Sequence, residues 1–258
     1  MSPRLRRTSY HPNRSGFWPL WLRANRTSPA PGRSGDVVTV LLVHERPANL
    51  DLQLRLVLAM PSTKSVIVSN NNPDVDAPRW TSVDDPRVEF RFDPGVNQTR
   101  RYQIARDVDA EYFLFLDDDI FFEPDDLEAM FARLREDPSR PIGVMGQTMD
   151  TDGSWVGGIE DDGARVDVLN RMYVCTAAHV RGVFDRAEDL GWSEAEVYGN
   201  AADDVLLSFA GTERPEIVQT PFVDCLSHND TRIATFRQPG FHEARSLWVR
   251  DLRERRDA

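Results

Sequence analysis

The sequence predicts an α/β fold with a mostly parallel sheet and helices on both faces. Short apolar segments of strand length alternate with longer segments in which apolar residues keep helical spacing, and this alternation is typical of crossover connections between parallel strands. Turn-forming and charged residues follow the ends of several strand segments. A chain of 258 residues with 40% hydrophobic content is large enough to bury such a core.

The first half of the chain carries the clearest elements. The apolar strand segments are residues 37–43, 65–69, 88–92 and 113–116. A helix between the first two strands is predicted from Leu50, Leu54, Val57 and Leu58, which share one helical face. A second helix is predicted over residues 99–107. A third begins at Pro124 and ends before Pro138, because proline suits a first helical turn and interrupts a helix interior.

The second half is less regular. Strands are predicted over residues 143–149, 172–176 and 217–220, with a Gly- and Asp-rich hairpin after the first. A short helix is predicted near residues 202–210 and a C-terminal helix from residue 241. Residues 150–170 and 176–200 contain no interpretable motif, and we expect them to form acceptor-side loops.

Charge divides the chain into two parts. Residues 1–35 contain seven arginines and no acidic residue, and we interpret them as a basic, disordered tail. Residues 36–258, interpreted as a single domain, carry the remaining 24 basic residues against 42 acidic ones, which gives −18 and, with the tail, the net charge of −11. A body this acidic does not bind nucleic acid through bulk electrostatics.

Nothing in the sequence indicates secretion or a membrane span. No signal peptide is recognised, and no apolar stretch reaches the roughly 18 residues that a span requires. We therefore expect a cytoplasmic protein, with weak peripheral membrane contact through the basic tail as an alternative. Cys175 and Cys225 are interpreted as buried free thiols, and a single disulfide is the alternative.

Three consecutive aspartates, Asp117, Asp118 and Asp119, follow the fourth predicted strand. Three like charges this close repel one another unless a positive charge lies between them. Mn²⁺ and Mg²⁺ prefer carboxylate oxygens and commonly keep positions open for substrate phosphates. The triplet therefore predicts a divalent metal site in an enzyme that acts on a phosphorylated donor. A solvated acidic turn is the alternative, and a phosphatase is a more distant one.

Two further clusters are candidates for the site. Asp203 and Asp204 follow Asn200 at the start of the short helix, where acidic residues also stabilise the positive end of the helix dipole. Arginines suit a pyrophosphate group, and the candidates lie before the triplet and in the C-terminal segment. They are Arg100, Arg101, Arg245 and Arg250. His228 is a candidate additional metal ligand.

The order of these motifs resembles the exostosin-type glycosyltransferases. The matching elements are the aspartate triplet, the Pro-Asp-Asp-Leu-Glu segment 124–128, the Asn-x-x-Asp-Asp segment 200–204, and the late His242 and Arg250. The resemblance implies a GT-A fold, in which a Rossmann-like nucleotide half merges with an acceptor half. It also implies Mn²⁺, a UDP-N-acetylhexosamine donor, a hydroxyl acceptor and retention of anomeric configuration.

The resemblance also implies roles for single residues. Asp117 would contact the nucleoside, Asp119 the metal and Arg101 the donor, while Arg46 with Asn71 or Asn72 would bind uridine. Asp204 would act near the sugar, and Arg250 would contact phosphate. Three assignments are less specific. Asp117 is also a candidate metal ligand, and Asp118 is a candidate donor-binding residue without a defined role. Asp203 is a candidate catalytic residue beside Asp204.

Two other functions fit the same motifs. The chain could be an inverting transferase in which Asp204 acts as general base. It could also be a catalytically silent protein that binds nucleotide sugars.

Overall fold

The structure, a computed structural model, describes residues 35–94, 97–199, 202–225, 227, 230 and 239–256. The predicted basic tail lies outside the described residues, apart from Gly35. Twelve strands are described: β1 (Val37–Val43), β2 (Thr63–Asn70), β3 (Val88–Phe92), β4 (Tyr112–Leu116), β5 (Ile120–Phe122), β6 (Ile142–Gly143), β7 (Gly146–Met149), β8 (Trp155–Ile159), β9 (Val168–Leu169), β10 (Met172–Thr176), β11 (Glu216–Ile217) and β12 (Phe222–Asp224).

Seven α-helices are described in the same part of the chain. They are α1 (Leu50–Leu58), α2 (Arg100–Arg106), α3 (Pro124–Glu136), α4 (Ala177–Asp189), α5 (Glu194–Gly199), α6 (Asp203–Ser208) and α7 (Phe241–Arg256). Two short 3₁₀ segments, Pro47–Asn49 and Ala77–Trp80, follow β1 and β2.

The central sheet has seven strands in the order β11-β6-β10-β4-β1-β2-β3. The pairs β4-β1, β1-β2 and β2-β3 are parallel. β10 runs antiparallel to both of its neighbours, so its direction is opposite to that of the other six strands. This mostly parallel sheet between helices is a GT-A Rossmann-like arrangement, and it confirms the predicted fold class.

Each face of the sheet is covered by its own hydrophobic core. The strand side chains alternate between the two: Leu41 of β1 packs into one core and Val40 into the other. One core is closed by apolar residues of α1 and α3. The other is closed by α2, α4 and α6. Helices therefore lie on both faces, as predicted.

The predicted strand 143–149 is two strands in two sheets. β6 joins the central sheet, whereas β7 forms a small sheet of order β8-β7-β9. Glycine at both positions allows close packing, because a Cβ on Gly143 would lie 2.9 Å from Leu169 and one on Gly146 would lie 2.7 Å from Val166. The strand predicted over 217–220 is also shorter, since β11 ends at Ile217.

The largest correction concerns residues 176–200, which were expected to be loops. They contain α4 and α5. Thr176 begins α4 as a capping box, accepting from the backbone N–H of His179 and donating its own N–H to His179 Nδ1. Residues 176–200 are therefore more helical than predicted from the sequence.

Cys175 and Cys225 are buried thiols and do not form a disulfide. Burial raises the pKa of the Cys175 thiol well above its ordinary value. Within the part of the chain that the structure describes, no helix has the length and apolar character needed to cross a membrane.

Candidate active site

The candidate site lies where the parallel strands β1, β2 and β4 end. Arg46 follows β1, Asn71 follows β2 and the aspartate triplet follows β4. β10, which runs the other way, begins at this edge, because Met172 pairs with Leu116, the last residue of β4. The edge of an open α/β sheet at the carboxyl ends of its strands is the usual place for ligands in such folds.

Each aspartate of the triplet is paired with an arginine. Asp117 accepts a hydrogen bond of 2.7 Å from Arg101 Nη2, and Asp118 accepts one of 2.7 Å from Arg46 Nη1. Asp119 accepts one of 3.1 Å from Arg171 Nη2. Part of the positive charge that three adjacent aspartates require is therefore supplied by arginine side chains of the protein.

Asp118 braces the loop that follows β1. Its carboxylate accepts from the backbone N–H groups of His44 and Arg46 as well as from the Arg46 guanidinium. Its backbone carbonyl accepts from Asn49 Nδ2 at 2.6 Å. These contacts engage the buried Asp118 side chain within the protein and give it a loop-positioning role that its sequence context did not reveal.

Arg46 connects this loop to a later segment. Its Nε and Nη2 donate to the hydroxyl and the carbonyl of Ser227, and Nη2 lies 3.6 Å from Asp119 Oδ2. Burial lowers the pKa of Arg46, but the nearby charges of Asp118 and Asp119 outweigh it, and the pKa is raised overall. The guanidinium therefore stays charged at the strand edge.

The two predicted uridine-binding asparagines lie side by side after β2. Asn71 is buried, and its backbone N–H donates to Val43 O at 3.3 Å. Asn72 Nδ2 donates to His44 O at 2.7 Å, which ties the turn after β2 to the loop after β1. Both asparagines thus lie at the same edge as Arg46.

Arg101 is almost completely buried. Its Nε donates to Gln98 O at 3.1 Å, and its guanidinium lies over the Tyr173 ring. The Asp117 side chain opposite is 30% exposed, so the pair has one buried and one accessible member. Arg101 can therefore fix Asp117 while leaving that carboxylate reachable from solvent.

A second cluster surrounds Asp204 at the start of α6. Asp204 Oδ1 is bound by Arg245 Nη1 and by the backbone N–H of Val205, and Oδ2 accepts a long hydrogen bond of 3.4 Å from Asn170 Nδ2. Arg245 is fully buried and lies over the rings of Trp155 and Phe241. Arg245 was only one of several candidate arginines in the sequence, whereas the structure places it directly on Asp204.

Two consecutive residues link the clusters. Asn170 contacts Asp204, and its neighbour Arg171 contacts Asp119 and, at 2.5 Å, Asp224. Neither Arg171 nor Asp224 was predicted, because their pairing depends on tertiary contacts. Arg171 has φ of 68°, a left-handed conformation that non-glycine residues seldom adopt and that signals a constrained position.

The remaining predicted residues lie elsewhere or outside the description. Arg250 is exposed on α7, and its Nη2 would lie 3.7 Å from a Cβ built on Gly153. Asp203 begins α6, but its side chain is outside the described part, as are His228 and Asn200. The described residues contain no group of three or more His, Cys, Asp or Glu side chains that could hold a metal ion.

A comparison with protein families identifies the activity. The model of the glycosyl transferase family 64 domain matches residues 37–159, a little under half of the chain. The chain is a glycosyltransferase. This glycosyltransferase therefore uses a sugar donor and an acceptor. The matched span contains the triplet, Arg46 and Arg101, and it ends before Asp204 and Arg245. A search of curated proteins finds no match to the chain.

Proposed function

We propose that the glycosyltransferase is metal-dependent and moves a sugar, expected to be an N-acetylhexosamine, from a UDP-linked donor to an acceptor hydroxyl with retention of anomeric configuration. The observation that carries the proposal is the aspartate triplet at the end of β4, which lies within the matched domain and faces three arginines. A nucleoside diphosphate needs such a combination of acidic and basic groups at a strand edge.

The nucleotide would bind between the triplet and the loops after β1 and β2. Asp117 would contact the nucleoside, and its ion pair with buried Arg101 would hold its carboxylate in place. Arg46, Asn71 and Asn72 lie along the same edge, and we assign them to the uridine side of the site. Asp118 would act indirectly, because its carboxylate holds the backbone of the loop that carries Arg46.

The oxygen atoms of Asp119 fit a hard divalent cation. Oδ1 accepts from Arg171, while Oδ2 lies 3.6 Å from Arg46 Nη2, beyond hydrogen-bonding distance. Asp119 would hold the metal together with donor phosphate oxygens and water, since Mg²⁺-type sites commonly use one or two carboxylates plus substrate phosphates. When bound, Mn²⁺ or Mg²⁺ would neutralise charge on the departing diphosphate.

Asp204 would orient the reacting groups on the acceptor side. Within the described residues, its Oδ2 accepts a single long hydrogen bond, so this oxygen retains capacity for a substrate hydroxyl. Arg245 fixes the carboxylate by binding the other oxygen. In a retaining reaction, the leaving phosphate can take the proton of the acceptor hydroxyl. Arg250 and Asp203 remain predicted contributors on this side, to phosphate contact and to the acidic pair, and His228 remains a predicted metal ligand.

A panel of nucleotide sugars with Mn²⁺ tests the donor assignment. A ligand that binds only the folded protein raises the melting temperature, so UDP-N-acetylhexosamines should shift it most. Turnover is then followed by UDP release, and NMR of the product reports the anomeric configuration. An inverted product would favour Asp204 as general base, and binding without hydrolysis or transfer would favour a silent nucleotide-sugar-binding protein.

Asp119→Asn tests the metal assignment. We expect turnover to fall at least about 100-fold, because an interaction that stabilises the leaving charge is lost. Asp125→Asn is the matched control, since Asp125 is an exposed acid in the first turn of α3. Undiminished turnover in a folded Asp119→Asn variant would contradict the proposal.

A further inference from the structure

Arg171 lies between two carboxylates that come from different elements. Its Nε and Nη2 contact Asp119 Oδ1 at 3.3 and 3.1 Å, and its Nη1 contacts Asp224 Oδ1 at 2.5 Å. Nη2 also donates to the backbone carbonyl of Asp119. One guanidinium thus acts as the common counter-ion of two acids at the edge where the diphosphate is expected.

The backbone keeps the residues Asp119 and Asp224 adjacent independently of Arg171. Asp224 ends β12 and pairs with Ile120 of β5, the residue that follows Asp119. The N–H of Cys225 donates to Asp119 O at 2.8 Å and extends this pairing. The two residues would therefore stay adjacent along the β5-β12 pairing if the guanidinium moved away.

Arg171 itself has a fixed backbone and a long side chain. Its carbonyl accepts from the N–H of Asp117, which anchors it beside β4. Burial lowers the pKa of Arg171, but Asp119 and Asp224 outweigh that effect, and the pKa is raised overall. The group is therefore always a cation.

Charge determines which cation the acidic pair can accept. Among these three groups, Asp119 and Asp224 carry two negative charges and Arg171 carries one positive charge, and Arg46 lies 3.6 Å from Asp119 as a further cation. A divalent cation added beside the arginine would make the cluster positive, and the two cations would repel each other at this distance. A nucleoside diphosphate brings the additional negative charge that lets both cations remain.

We propose that Arg171 is the resident counter-ion of Asp119 and Asp224, and that it yields this pair to a divalent cation when a nucleoside diphosphate enters, its guanidinium then passing to the diphosphate. Asp224 becomes the second carboxylate of the metal site. The inference rests on the proposed function, because it assumes that Asp119 takes a metal. It makes Arg171 a positioning residue that couples metal binding to nucleotide binding.

The direct consequence is that the protein without nucleotide binds Mn²⁺ weakly. Removing Arg171 should create a two-carboxylate site that binds Mn²⁺ at least about tenfold more tightly without nucleotide, because one positive charge is gone from within contact distance. UDP should tighten Mn²⁺ binding strongly in the wild type, where it draws Arg171 away from the two carboxylates. In the variant no arginine has to move, so UDP should tighten Mn²⁺ binding by a smaller factor.

The experiment titrates Mn²⁺ into the full chain and follows the free ion by EPR, with and without UDP. Arg171→Gly suits the left-handed backbone at this position, and Arg171→Gln provides a second variant if the first does not fold. Arg171→Gly/Asp224→Asn removes the second carboxylate. Arg91→Gln is the matched control, because it removes an arginine paired with Glu89 on β3.

Tighter nucleotide-free Mn²⁺ binding in the Arg171 variants, lost again in the double variant, supports the inference. Unchanged binding in the Arg171 variants overturns it, and so does wild-type affinity for Mn²⁺ that UDP does not alter. These outcomes are independent of turnover. Normal transfer activity in the wild type with unchanged Mn²⁺ affinity in the variants would keep the proposed function and overturn the inference. Tighter Mn²⁺ binding in the Arg171 variants of a chain without transfer activity would keep the inference and overturn the proposed function.

Discussion

The proposed donor and acceptor sides of the site are built differently. The donor side consists of the triplet and the arginines around it, and it forms where parallel strands of one sheet end together. The acceptor side consists of Asn170, Asp204 and Arg245, which come from a strand connection and two separate helices. Sheet topology places the triplet and Arg46 at one edge, and α2 and the β9-β10 connection add Arg101 and Arg171. The acceptor side depends more fully on helix packing, since two of its three residues lie on helices.

One ion pair of each side, Asp117 with Arg101 and Asp204 with Arg245, also differs from the other in its access to water. Asp117 is 30% exposed opposite Arg101, whereas Asp204 and Arg245 are 11% and 1% exposed. A partly open pair can exchange a protein partner for a substrate group at small cost. In a closed pair, removing either member leaves the other as an uncompensated buried charge, which is strongly destabilising.

The largest expected effect is on the closed pair. Asp204→Ala leaves the buried Arg245 charge without its carboxylate, and we expect the free energy of unfolding to fall by about 3–5 kcal/mol. Asp117→Ala should cost less, about 1–2 kcal/mol, because the Asp117 side chain is 30% exposed and water can take its place beside Arg101. Urea denaturation measures both.

The double variant Asp204→Leu/Arg245→Met is the control for this prediction. Replacing both charges with apolar side chains should restore most of the lost stability, although activity should not return. Equal losses in the free energy of unfolding in Asp204→Ala and Asp117→Ala would contradict the distinction between the two ion pairs.

The next effect is a pH dependence that arises at His179, in the first turn of α4. Burial lowers the pKa of His179 to about 4, from 6.5 in the unfolded chain, although backbone hydrogen bonds oppose the shift. Between these values the unfolded state binds the proton and the folded state does not. Stability should therefore be constant above pH 6.5 and fall by about 2–3 kcal/mol as the pH drops to 4.

His179→Gln tests this assignment. Glutamine can accept from the Thr176 N–H as the histidine does, so the capping box is kept while the titrating group is removed. The variant should lack the loss attributed to His179, and His242→Gln on exposed His242 should retain it. Thermal melts at pH 7 and pH 4.5 provide the comparison, and an unchanged slope in His179→Gln would assign the effect elsewhere.

The smallest effect on stability is expected at Arg250. Arg250→Ala changes an exposed side chain and should alter the free energy of unfolding by less than about 0.5 kcal/mol. Its effect on turnover is the informative measurement. A large loss of transfer activity without loss of stability would support the phosphate contact predicted from the sequence, and wild-type turnover would argue against it.

The sequence predicted the donor side because its signals are local. An apolar strand followed by acids shows both the strand and its end, and parallel topology then places Arg46, Asn71 and Asp117 at one edge. The pairing of Arg171 with Asp224 and of Arg245 with Asp204 has no local signal, since each partner is one of many charged residues. These contacts arise from β5-β12 pairing and from the packing of α6 against α7.

Helix α4 could have been found from the sequence. Val180, Val183 and Ala187 keep helical spacing, and Gly191 follows in a left-handed conformation that is common just after a helix. The division of residues 142–149 between two sheets was harder to predict. Two glycines permit it, and their role is recognised only from the residues of the same chain that they pack against.

The reversed direction of β10 determines how short a connection can serve both halves of the enzyme. Because β10 starts at the edge where β4 ends, two residues between β9 and β10 reach Asp204 on one side and Asp119 on the other. A parallel strand in this position would start at the far edge and need a crossover to return. The length of the Asn170-Arg171 connection therefore sets the distance between the Asp204 and Asp119 contacts. Inserting one residue would prevent Asn170 and Arg171 from making both contacts at once.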